Sequence, residues 1–293
     1  IIGKVDIDGK GISGVELKLN KELSSSKDIH LSIDSGIQNI LKQLLLKQIT
    51  KFQAIAGAGI IMNANNGKIK SIISLPDYDN NLNNNLLKKQ VFNNATKGLY
   101  ELGSTLKIFT AAMAIESGKI RDDQLIDVSS PILLSKTQKI KDIKKIKFPI
   151  NLPEIIVHSS NIGTAKIATS LGYQIQKKYF NLIGFHKKVD IEIIETSFPS
   201  INYNNHPSSL MSKSYGYGIQ ISPLHLAKAT AITLNGGKLV SPTLLKNKTN
   251  PKKIVRIFSD ETSIKLRSIL YLVVNDKNGT GKSAKSYYYP NRR

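Results

Sequence analysis

Cysteine is absent from the 293-residue sequence, and no stretch of it stays apolar for the length of a membrane-spanning helix. Without cysteine the chain forms neither a disulfide framework nor a Cys-based metal site. A bilayer span needs about 18 consecutive apolar residues, so we predict no transmembrane helix in this sequence. The chain begins at Ile1 rather than Met and shows no signal peptide, so we expect the natural N-terminus to lie upstream.

Acidic residues are scarce relative to basic ones, with 21 Asp and Glu against 42 Lys and Arg, which gives a net charge of +21. Such a charge favours anionic partners, among them nucleic acids and anionic membrane surfaces. The lysines are scattered, however, and their densest run, at residues 136–147, contains no aromatic side chain on which bases could stack. We therefore predict no nucleic-acid partner, and the 40% of hydrophobic residues indicates a substantial core.

Patterns that bind metals or nucleotides are weak in this chain. The five His residues show no metal-ligand spacing with one another or with carboxylates, so no metal and no other cofactor is predicted. The segment Gly279-Thr280-Gly281-Lys282-Ser283 resembles the end of a phosphate-binding loop. The full pattern needs a glycine five residues before the Gly-Lys pair, where Asp276 stands, so a nucleotide site is not favoured.

Capping residues and hydrophobic periodicity divide the chain into helices, strands and loops. Asp34 is the predicted N-cap of the first long helix, and Asn66-Gly67 is a tight-turn signature between two apolar strands. The predicted helices cover residues 34–50, 104–117, 152–157, 162–171, 179–185, 223–234 and 260–274. The predicted strands cover residues 30–33, 58–63, 69–75 and 240–245. A strand-like tail, a polar linker, an Asn-rich loop and a connection are predicted at residues 1–23, 24–28, 76–90 and 120–149.

Ser104 and Lys107 stand at the start of the helix that the sequence predicts to be most buried. Ala and long apolar residues follow Lys107, while Gly103 allows the backbone to turn and Gly118 marks the C-terminal end. The spacing of three residues places both side chains on one face. A hydroxyl nucleophile needs a nearby base, and a lysine amine loses its proton more readily when buried. Ser104 and Lys107 are therefore a candidate nucleophile and its activator.

The same two residues also fit a simpler interpretation, as an N-capping serine and a solvated helix lysine. Ser24 and Lys27 share the spacing in a polar run that no helical pattern follows. We favour catalysis at Ser104 because an exposed lysine is difficult to place in so apolar a helix, and because a partner motif follows downstream.

The partner motif is Ser159-Ser160-Asn161, which interrupts two predicted helices about fifty residues after Ser104. A second hydroxyl and an amide in a cleft can transfer protons and hold a substrate amide, although Ser160 or Asn161 also suits a helix N-cap. The adjacent His158 has no Gly-x-Ser-x-Gly elbow to pair with and is interpreted as local packing.

This order of motifs, Ser-x-x-Lys, then Ser-x-Asn, then a Gly-x-Gly turn before a Pro-initiated helix, resembles that of the penicillin-binding proteins. The similarity covers nearly the whole chain and is greatest to the septal, cell-division members of class B. The segments that carry it, besides the motifs, are Ile2-Gly3, Gly14-Val15-Glu16, Ile33-Asp34, Ile37-Gln38, Ser74 to Asp79, Glu101 to Thr110 and Tyr215 to Leu224.

The resemblance implies an α+β fold, the penicillin-binding and serine β-lactamase-like transpeptidase fold, with a central antiparallel sheet flanked by helices and its C-terminal strands missing. It also implies two domains. Residues 1–27 would be the tail of the non-catalytic pedestal domain, and residues 28–293 would be the transpeptidase domain, truncated before the Lys-Thr-Gly motif.

By the same resemblance, Ser104 is the acyl nucleophile, Lys107 its base, Ser159 a proton relay and Asn161 a ligand of the substrate amide. The turn residues Tyr215, Gly216 and Gly218 would bind substrate. The implied activity is peptidoglycan D,D-transpeptidation through a serine acyl-enzyme in septal cell-wall synthesis. The implied partners are stem peptides ending in D-Ala-D-Ala, β-lactams and membrane proteins of the division machinery. The implied location is the bacterial inner membrane, with the catalytic domain facing the periplasm and the anchor outside this chain.

Three departures from the family pattern are visible. Leu102 and Leu106 stand where the family usually has Pro and Phe, and these packing changes are expected to be tolerated. More importantly, the Lys-Thr-Gly motif is absent. Partial matches occur in the wrong places, at Lys136-Thr137-Gln138 and Lys248-Thr249-Asn250, and Lys277-Asn278-Gly279 is a remote substitute. Losing an oxyanion donor typically costs about 10²–10³ in rate. We therefore expect a weakly active chain that is a fragment or a decayed gene product. A non-catalytic binding protein, a D,D-carboxypeptidase and a serine β-lactamase stay open as alternatives.

Overall fold

The computed structural model of the chain describes residues 1–79, 91–204, 206–248 and 254–285. Three sequence features lie wholly or partly outside these ranges: most of the Asn-rich loop, the near miss Lys248-Thr249-Asn250, and the polar, aromatic end of the chain. Within the described ranges the structure is mixed α and β, with helices predominating and three two-stranded antiparallel ladders.

The α-helices of the described residues are named here in chain order. They are α1 (Gly14–Lys18), α2 (Asn20–Ser24), α3 (Ser35–Phe52), α4 (Lys107–Ser117), α5 (Leu152–Val157), α6 (Asn161–Leu171), α7 (Tyr173–Leu182), α8 (Pro207–Ser214), α9 (Pro223–Leu234) and α10 (Asp260–Asn275). Short 3-10 turns cover Gly103–Leu106 and Lys282–Ala284. The strands are β1 (Gly57–Met62), β2 (Ile69–Leu75), β3 (Ile132–Leu133), β4 (Lys139–Ile140), β5 (Ser200–Ile201) and β6 (Ile219–Gln220).

The predicted hairpin forms as β1 and β2, which pair antiparallel with Ile60 opposite Ile72. Helix α3 packs across it so closely that a β-carbon on Gly59 would lie 3.1 Å from the Leu41 side chain. The prediction of an antiparallel sheet is confirmed, but its neighbours in the described residues are isolated bridges. Leu31 bridges to Leu245, and Lys68 bridges in parallel to Thr243.

Helix α4 runs through the main hydrophobic core, as its composition predicts. Phe109 is fully buried and meets Phe185 edge to face, with ring centroids 5.4 Å apart. The helix ends at Gly118, whose φ of 63° is the left-handed C-cap conformation that glycine adopts at little cost. Helices α5, α6, α7, α9 and α10 all pack against α4. A residue near the first turn of α4 is therefore held by the most rigid part of the molecule.

Several local predictions are wrong in position or type. The N-terminal tail is not purely strand-like, since α1 and α2 occupy much of it, and α2 includes Ser24 of the predicted linker. The strands predicted at residues 30–33 and 240–245 are reduced to bridges. Helix α7 begins at Tyr173, earlier than predicted, and α8 was not predicted at all. On α3, the apolar residues Ile40 and Leu44 are 61% and 52% exposed, because the hairpin covers only part of the helix surface.

Candidate active site

Ser104 lies on the 3-10 turn that leads into α4, between a flexible glycine and a fully buried helix. Gly103 has a φ of 55°, and this left-handed conformation changes the chain direction just before the serine. Ser104 is exposed, whereas Leu106 two residues later is completely buried. Within the described residues Ser104 Oγ makes no hydrogen bond. The hydroxyl therefore faces the solvent from a rigid base.

Lys107 is the first residue of α4, and it is 2% exposed. Its Nζ donates a hydrogen bond of 2.9 Å to Ser159 Oγ and one of 2.5 Å to the Ser159 carbonyl oxygen. Burial disfavours the ammonium form and lowers the pKa of Lys107 from 10.5 to about 8, while the charge of Asp142 opposes part of that shift. At a pKa of about 8 most of Lys107 is still charged near physiological pH, but about a fifth is neutral, far more than for an ordinary lysine, and the neutral form accepts a proton.

Ser159 lies in the short break between α5 and α6, and its backbone is unusual. Its φ of 54° is left-handed, a conformation that costs a residue with a side chain about 1–2 kcal/mol and that occurs often at active sites. Ser160 N-caps α6 by accepting from Gly163 N at 2.9 Å, so the break and the helix are fixed together. This backbone places Ser159 Oγ against Lys107 Nζ.

Asn161 is the first residue of α6 and is partly exposed. Its Nδ2 donates to the carbonyl oxygen of Lys141 at 3.0 Å, and within the described residues its Oδ1 accepts no hydrogen bond, so it can accept one from a ligand. The carboxylate of Asp142 accepts from the Asn161 N–H and from Ser160 Oγ, at 2.5 Å and 2.7 Å. Both Lys141 and Asp142 belong to the lysine-rich connection that follows β4.

The turn formed by Tyr215, Gly216, Tyr217 and Gly218 packs directly against the turn that carries Ser104. A β-carbon on Gly216 would lie 2.1 Å from the Gly103 carbonyl oxygen, and Gly216 has a φ of 93°, so only glycine fits there. Gly218 N donates to Glu101 Oε1 at 2.7 Å. The side chain of Tyr215 is 9% exposed and packs in the core, whereas Tyr217 is 56% exposed. The turn therefore borders Ser104 with backbone, and its accessible aromatic ring is that of Tyr217.

The predicted site residues thus assemble around one point. Lys107 and Ser159 are in direct contact, Asn161 follows on the same loop, and Gly216 touches the Ser104 turn, but no hydrogen bond joins Lys107 to Ser104.

The sequence interpretation missed Asp142, which stood in the lysine-rich run of the predicted connection. The available signal was that Asp142 is the one acidic residue within a run that contains six lysines, residues 136–147. It also missed Thr280, whose N–H and Oγ1 both donate to the Val157 carbonyl oxygen at 3.3 Å, two residues before Ser159.

Other candidate sites are weaker. The segment that resembled a phosphate-binding loop follows α10 and leads into a three-residue 3-10 turn rather than a helix. In the part of the chain that the structure describes, no three His, Asp or Glu side chains are grouped so as to hold a metal ion. A cavity of about 1220 Å³ lies between α3, β2 and the N-terminal segment, and none of the predicted site residues lines it. No helix in the described ranges is long and apolar enough to cross a membrane.

An exposed serine at a buried helix start, a buried lysine and a second serine from the loop of a neighbouring helix are residue types that acyl transfer requires, and here they lie on a mixed α and β fold. Comparison with known proteins agrees. Residues 57–291 match the family described as the penicillin binding protein transpeptidase domain. The chain therefore belongs to this family, and the fold class expected from the sequence is confirmed.

Two curated relatives carry the same functional name. The chain is 33% identical over 291 residues to the probable peptidoglycan D,D-transpeptidase FtsI of Caulobacter vibrioides, a match that covers 97% of the chain and 49% of that protein. It is 28% identical over 307 residues to the peptidoglycan D,D-transpeptidase FtsI of Buchnera aphidicola subsp. Baizongia pistaciae, covering 94% of the chain and 52% of that protein. The chain spans about half the length of these relatives.

The structural similarity extends to a solved transpeptidase. The apo structure of the TP domain of Burkholderia pseudomallei penicillin-binding protein 3 superposes with a TM-score of 0.78 at 26% sequence identity, covering 88% of this chain and 74% of that one. The sequence resemblance, and the mixed fold inferred from it, are therefore confirmed at the level of both sequence and structure.

Proposed function

We propose that this chain carries the catalytic site of a peptidoglycan D,D-transpeptidase that cross-links stem peptides through an acyl-enzyme on Ser104. The observation that carries the proposal is the contact between Lys107 and Ser159. Lys107 lies three residues after the exposed Ser104, is itself 2% exposed and has its pKa lowered to about 8. Its Nζ donates a hydrogen bond to the hydroxyl of a second serine, Ser159. A lysine kept only for stability would not need this arrangement, since burying its charge is costly.

The chemistry of the first half-reaction follows from these positions. Neutral Lys107 takes the proton of Ser104 as Oγ attacks the carbonyl carbon between the last two D-Ala residues. The C–N bond breaks as the Ser159 hydroxyl passes its proton to the departing D-Ala nitrogen and takes in turn the proton held by Lys107, which leaves an ester on Ser104 and a neutral Lys107. The backbone N–H of Ser104 is one donor for the oxyanion, and Asn161 Oδ1 is placed to accept from a substrate N–H.

The second half-reaction uses the same groups in reverse. The amine of a neighbouring stem peptide attacks the ester, its proton returns through Ser159 and Lys107, and the Ser104 hydroxyl is released with a new amide cross-link. β-Lactams enter at the first step, because their strained ring carbonyl is also attacked by Ser104 and yields a stable ester. The Gly216 and Gly218 backbone, with Tyr217 beside it, forms the adjacent wall for the substrate.

The test is intact-mass analysis after incubation with benzylpenicillin. We expect one covalent adduct on the parent chain and none on Ser104→Ala. The matched control is Ser24→Ala, which removes the serine of the other Ser-x-x-Lys match, exposed at the end of α2, and should label like the parent. Absence of an adduct on a folded parent chain would refute the proposal, and so would an adduct that survives in Ser104→Ala.

The fate of the adduct separates transpeptidation from hydrolysis. With a transpeptidase the penicilloyl ester persists in water, whereas the ester formed from a stem peptide is discharged by an added amine acceptor such as a D-amino acid. Rapid hydrolysis of nitrocefin with no lasting adduct would instead indicate a serine β-lactamase. Release of D-Ala from a stem peptide, with no product joined to the acceptor, would indicate a D,D-carboxypeptidase.

The cellular context is part of the same proposal. Because both curated relatives described above are named FtsI, we propose that the chain acts in septal cell-wall synthesis together with membrane proteins of the division machinery. Its substrate lies outside the inner membrane, so the catalytic site would face the periplasm. Depletion in the parent organism should produce filaments with unfinished septa, and cells that divide normally while losing side-wall rigidity would contradict the septal assignment.

A further inference from the structure

We propose that Asp142 is a positioning residue of the Ser104 site, which holds the Ser159-Ser160-Asn161 loop against Lys107 and places a negative charge beside it. The inference rests on the proposed function, and it concerns a residue that none of the penicillin-binding motifs in this chain contains. Asp142 lies just after β4, in the connection between α4 and α5, and is partly buried.

The two carboxylate oxygens of Asp142 accept hydrogen bonds from different groups of the Ser159-Ser160-Asn161 loop and the first turn of α6. Oδ1 accepts from the N–H groups of Asn161 and Ile162, at 2.5 Å and 3.0 Å. Oδ2 accepts from Ser160 Oγ at 2.7 Å. These two N–H groups belong to the first turn of α6, where backbone donors have no partner within the helix. Asp142 therefore satisfies the end of α6 from another segment and fixes the rotamer of Ser160.

The strained backbone of Ser159 explains why the loop needs such a hold. Ser159 has the left-handed φ of 54°, and a conformation of this kind persists only where surrounding contacts enforce it. On its C-terminal side, Ser160 N donates to the Ile155 carbonyl oxygen at 2.9 Å, and both Ser160 and Asn161 are also bound by Asp142. On its N-terminal side, Ser159 N donates to Ile156 at 3.1 Å. Releasing Asp142 would allow Ser159 to relax and move its hydroxyl away from Lys107 Nζ.

The charge of Asp142 has a second effect, on proton affinity. Within the described residues, Asp142 is the ionisable group whose field acts appreciably on Lys107, and it favours the ammonium form. Glu101, before the Ser104 turn, is instead engaged with Gly218 N. Burial and Asp142 thus act in opposite directions on the pKa of Lys107. Removing the charge but keeping the shape should make Lys107 a weaker base that is neutral at lower pH.

The experiment compares the parent with Asp142→Asn and Asp127→Asn. Asparagine at 142 keeps an oxygen for the two N–H groups but loses the charge and the acceptor for Ser160. Asp127 is the matched control, because it also accepts a backbone N–H, from Ser129 at 2.9 Å, but its lysine neighbour is Lys166. Two quantities are measured: the rate of benzylpenicillin acylation against pH, and the Lys107 titration midpoint by carbon-13 NMR, assigned with Lys107→Met.

We expect Asp142→Asn to lose about tenfold or more in acylation rate, since displacing a reacting group by about 1 Å can cost on the order of 10²-fold. The acidic limb of its pH–rate profile and the Lys107 midpoint should both move to lower pH, while Asp127→Asn matches the parent in both. A parent-like rate and midpoint in Asp142→Asn would overturn the inference. So would a lost rate with an unmoved midpoint, which would indicate a structural role only.

Two further measurements keep the inference testable. If Asp142→Asn does not fold, the variant Ser160→Ala is used instead. It removes one of the three hydrogen-bond donors to Asp142 and leaves the charge of Asp142 in place. The rate should then fall without a change in the Lys107 midpoint, and an unchanged rate would overturn the inference. If the parent forms no adduct, the proposed function fails, but the NMR titration of Lys107 in Asp142→Asn still tests the effect of the charge separately.

Discussion

Replacing Lys107 with methionine should change the stability of the fold by an amount that depends on pH in a defined way. The folded state holds the pKa of Lys107 at about 8, against 10.5 for an ordinary lysine. The unfolded chain therefore binds more protons between these two values, and stability of the parent rises with pH across that window. Below about pH 8 the full penalty of the buried amine is present, and it is relieved progressively as pH approaches 10.5.

The lowered pKa of Lys107 reduces the free energy of unfolding by about 3 kcal/mol near pH 7 and by about 1 kcal/mol near pH 9.5, since one pKa unit is worth about 1.4 kcal/mol. Methionine fills similar space and does not titrate, but it loses both hydrogen bonds to Ser159. The absolute change in free energy of unfolding thus combines two effects. The difference between the two pH values isolates the titration, and it should be about 2 kcal/mol in favour of the parent at the higher pH.

Urea unfolding of the parent and of Lys107→Met at both pH values measures this quantity. Other groups titrate equally in both chains and cancel in the comparison. Lys47→Met, at an exposed position of α3, controls for loss of a surface lysine, where solvent screens the charge. If the free-energy difference between Lys107→Met and the parent is the same at both pH values, Lys107 does not have a depressed pKa, and the basis for its role as a base is lost.

Two further substitutions test the local structure around the site and the sheet. Gly216→Ala would place a β-carbon 2.1 Å from the Gly103 carbonyl oxygen, so it should cost more than the ~1–2 kcal/mol of left-handed strain alone and slow acylation by benzylpenicillin. Gly9→Ala, which has a φ of 77° and nothing within 4 Å, is its control, and equal losses of urea stability in the two variants would contradict the contact. Asp34→Ala removes the side chain that accepts from Ile37 N at 3.0 Å and should lower the free energy of unfolding by about 1 kcal/mol; an unchanged urea midpoint would show that this cap contributes nothing.

The parts of the fold that the sequence predicted well are those with strong local rules. Pro223 opens α9, as expected, and the preceding Ser222 is its N-cap, with an Oγ that accepts from His225 N. Asn66-Gly67 does connect β1 to β2. In each case the decisive interaction lies within a few residues, so the local sequence contains the information.

The parts that were missed depend on distant partners. Helix α8 has a polar sequence, and its buried Lys213 is stabilised by the Asn202 carbonyl oxygen at 2.8 Å rather than by hydrophobic periodicity. Asp142 acts on residues about twenty positions away, across α5. Tyr215 was predicted to bind substrate, yet tertiary packing buries its side chain in the core. The motifs and the family resemblance pointed to Ser104, Lys107 and Ser159, while the burial of Lys107 and its contact with Ser159 follow only from the folded structure.

The spacing of the site along the chain has a consequence for how the protein matures. Lys107 reaches a loop 52 residues away, Thr110 holds the carbonyl of Ser214 across 104 residues, and Gly218 N meets Glu101 across 117. Contacts this distant in sequence form only after the intervening chain has been ordered, so they are late events in folding. A newly made, partly folded chain would thus carry Ser104 as an ordinary, unreactive serine. Covalent β-lactam labelling would then count only molecules that have completed folding, and a fluorescent penicillin would serve as a folding reporter in the cell.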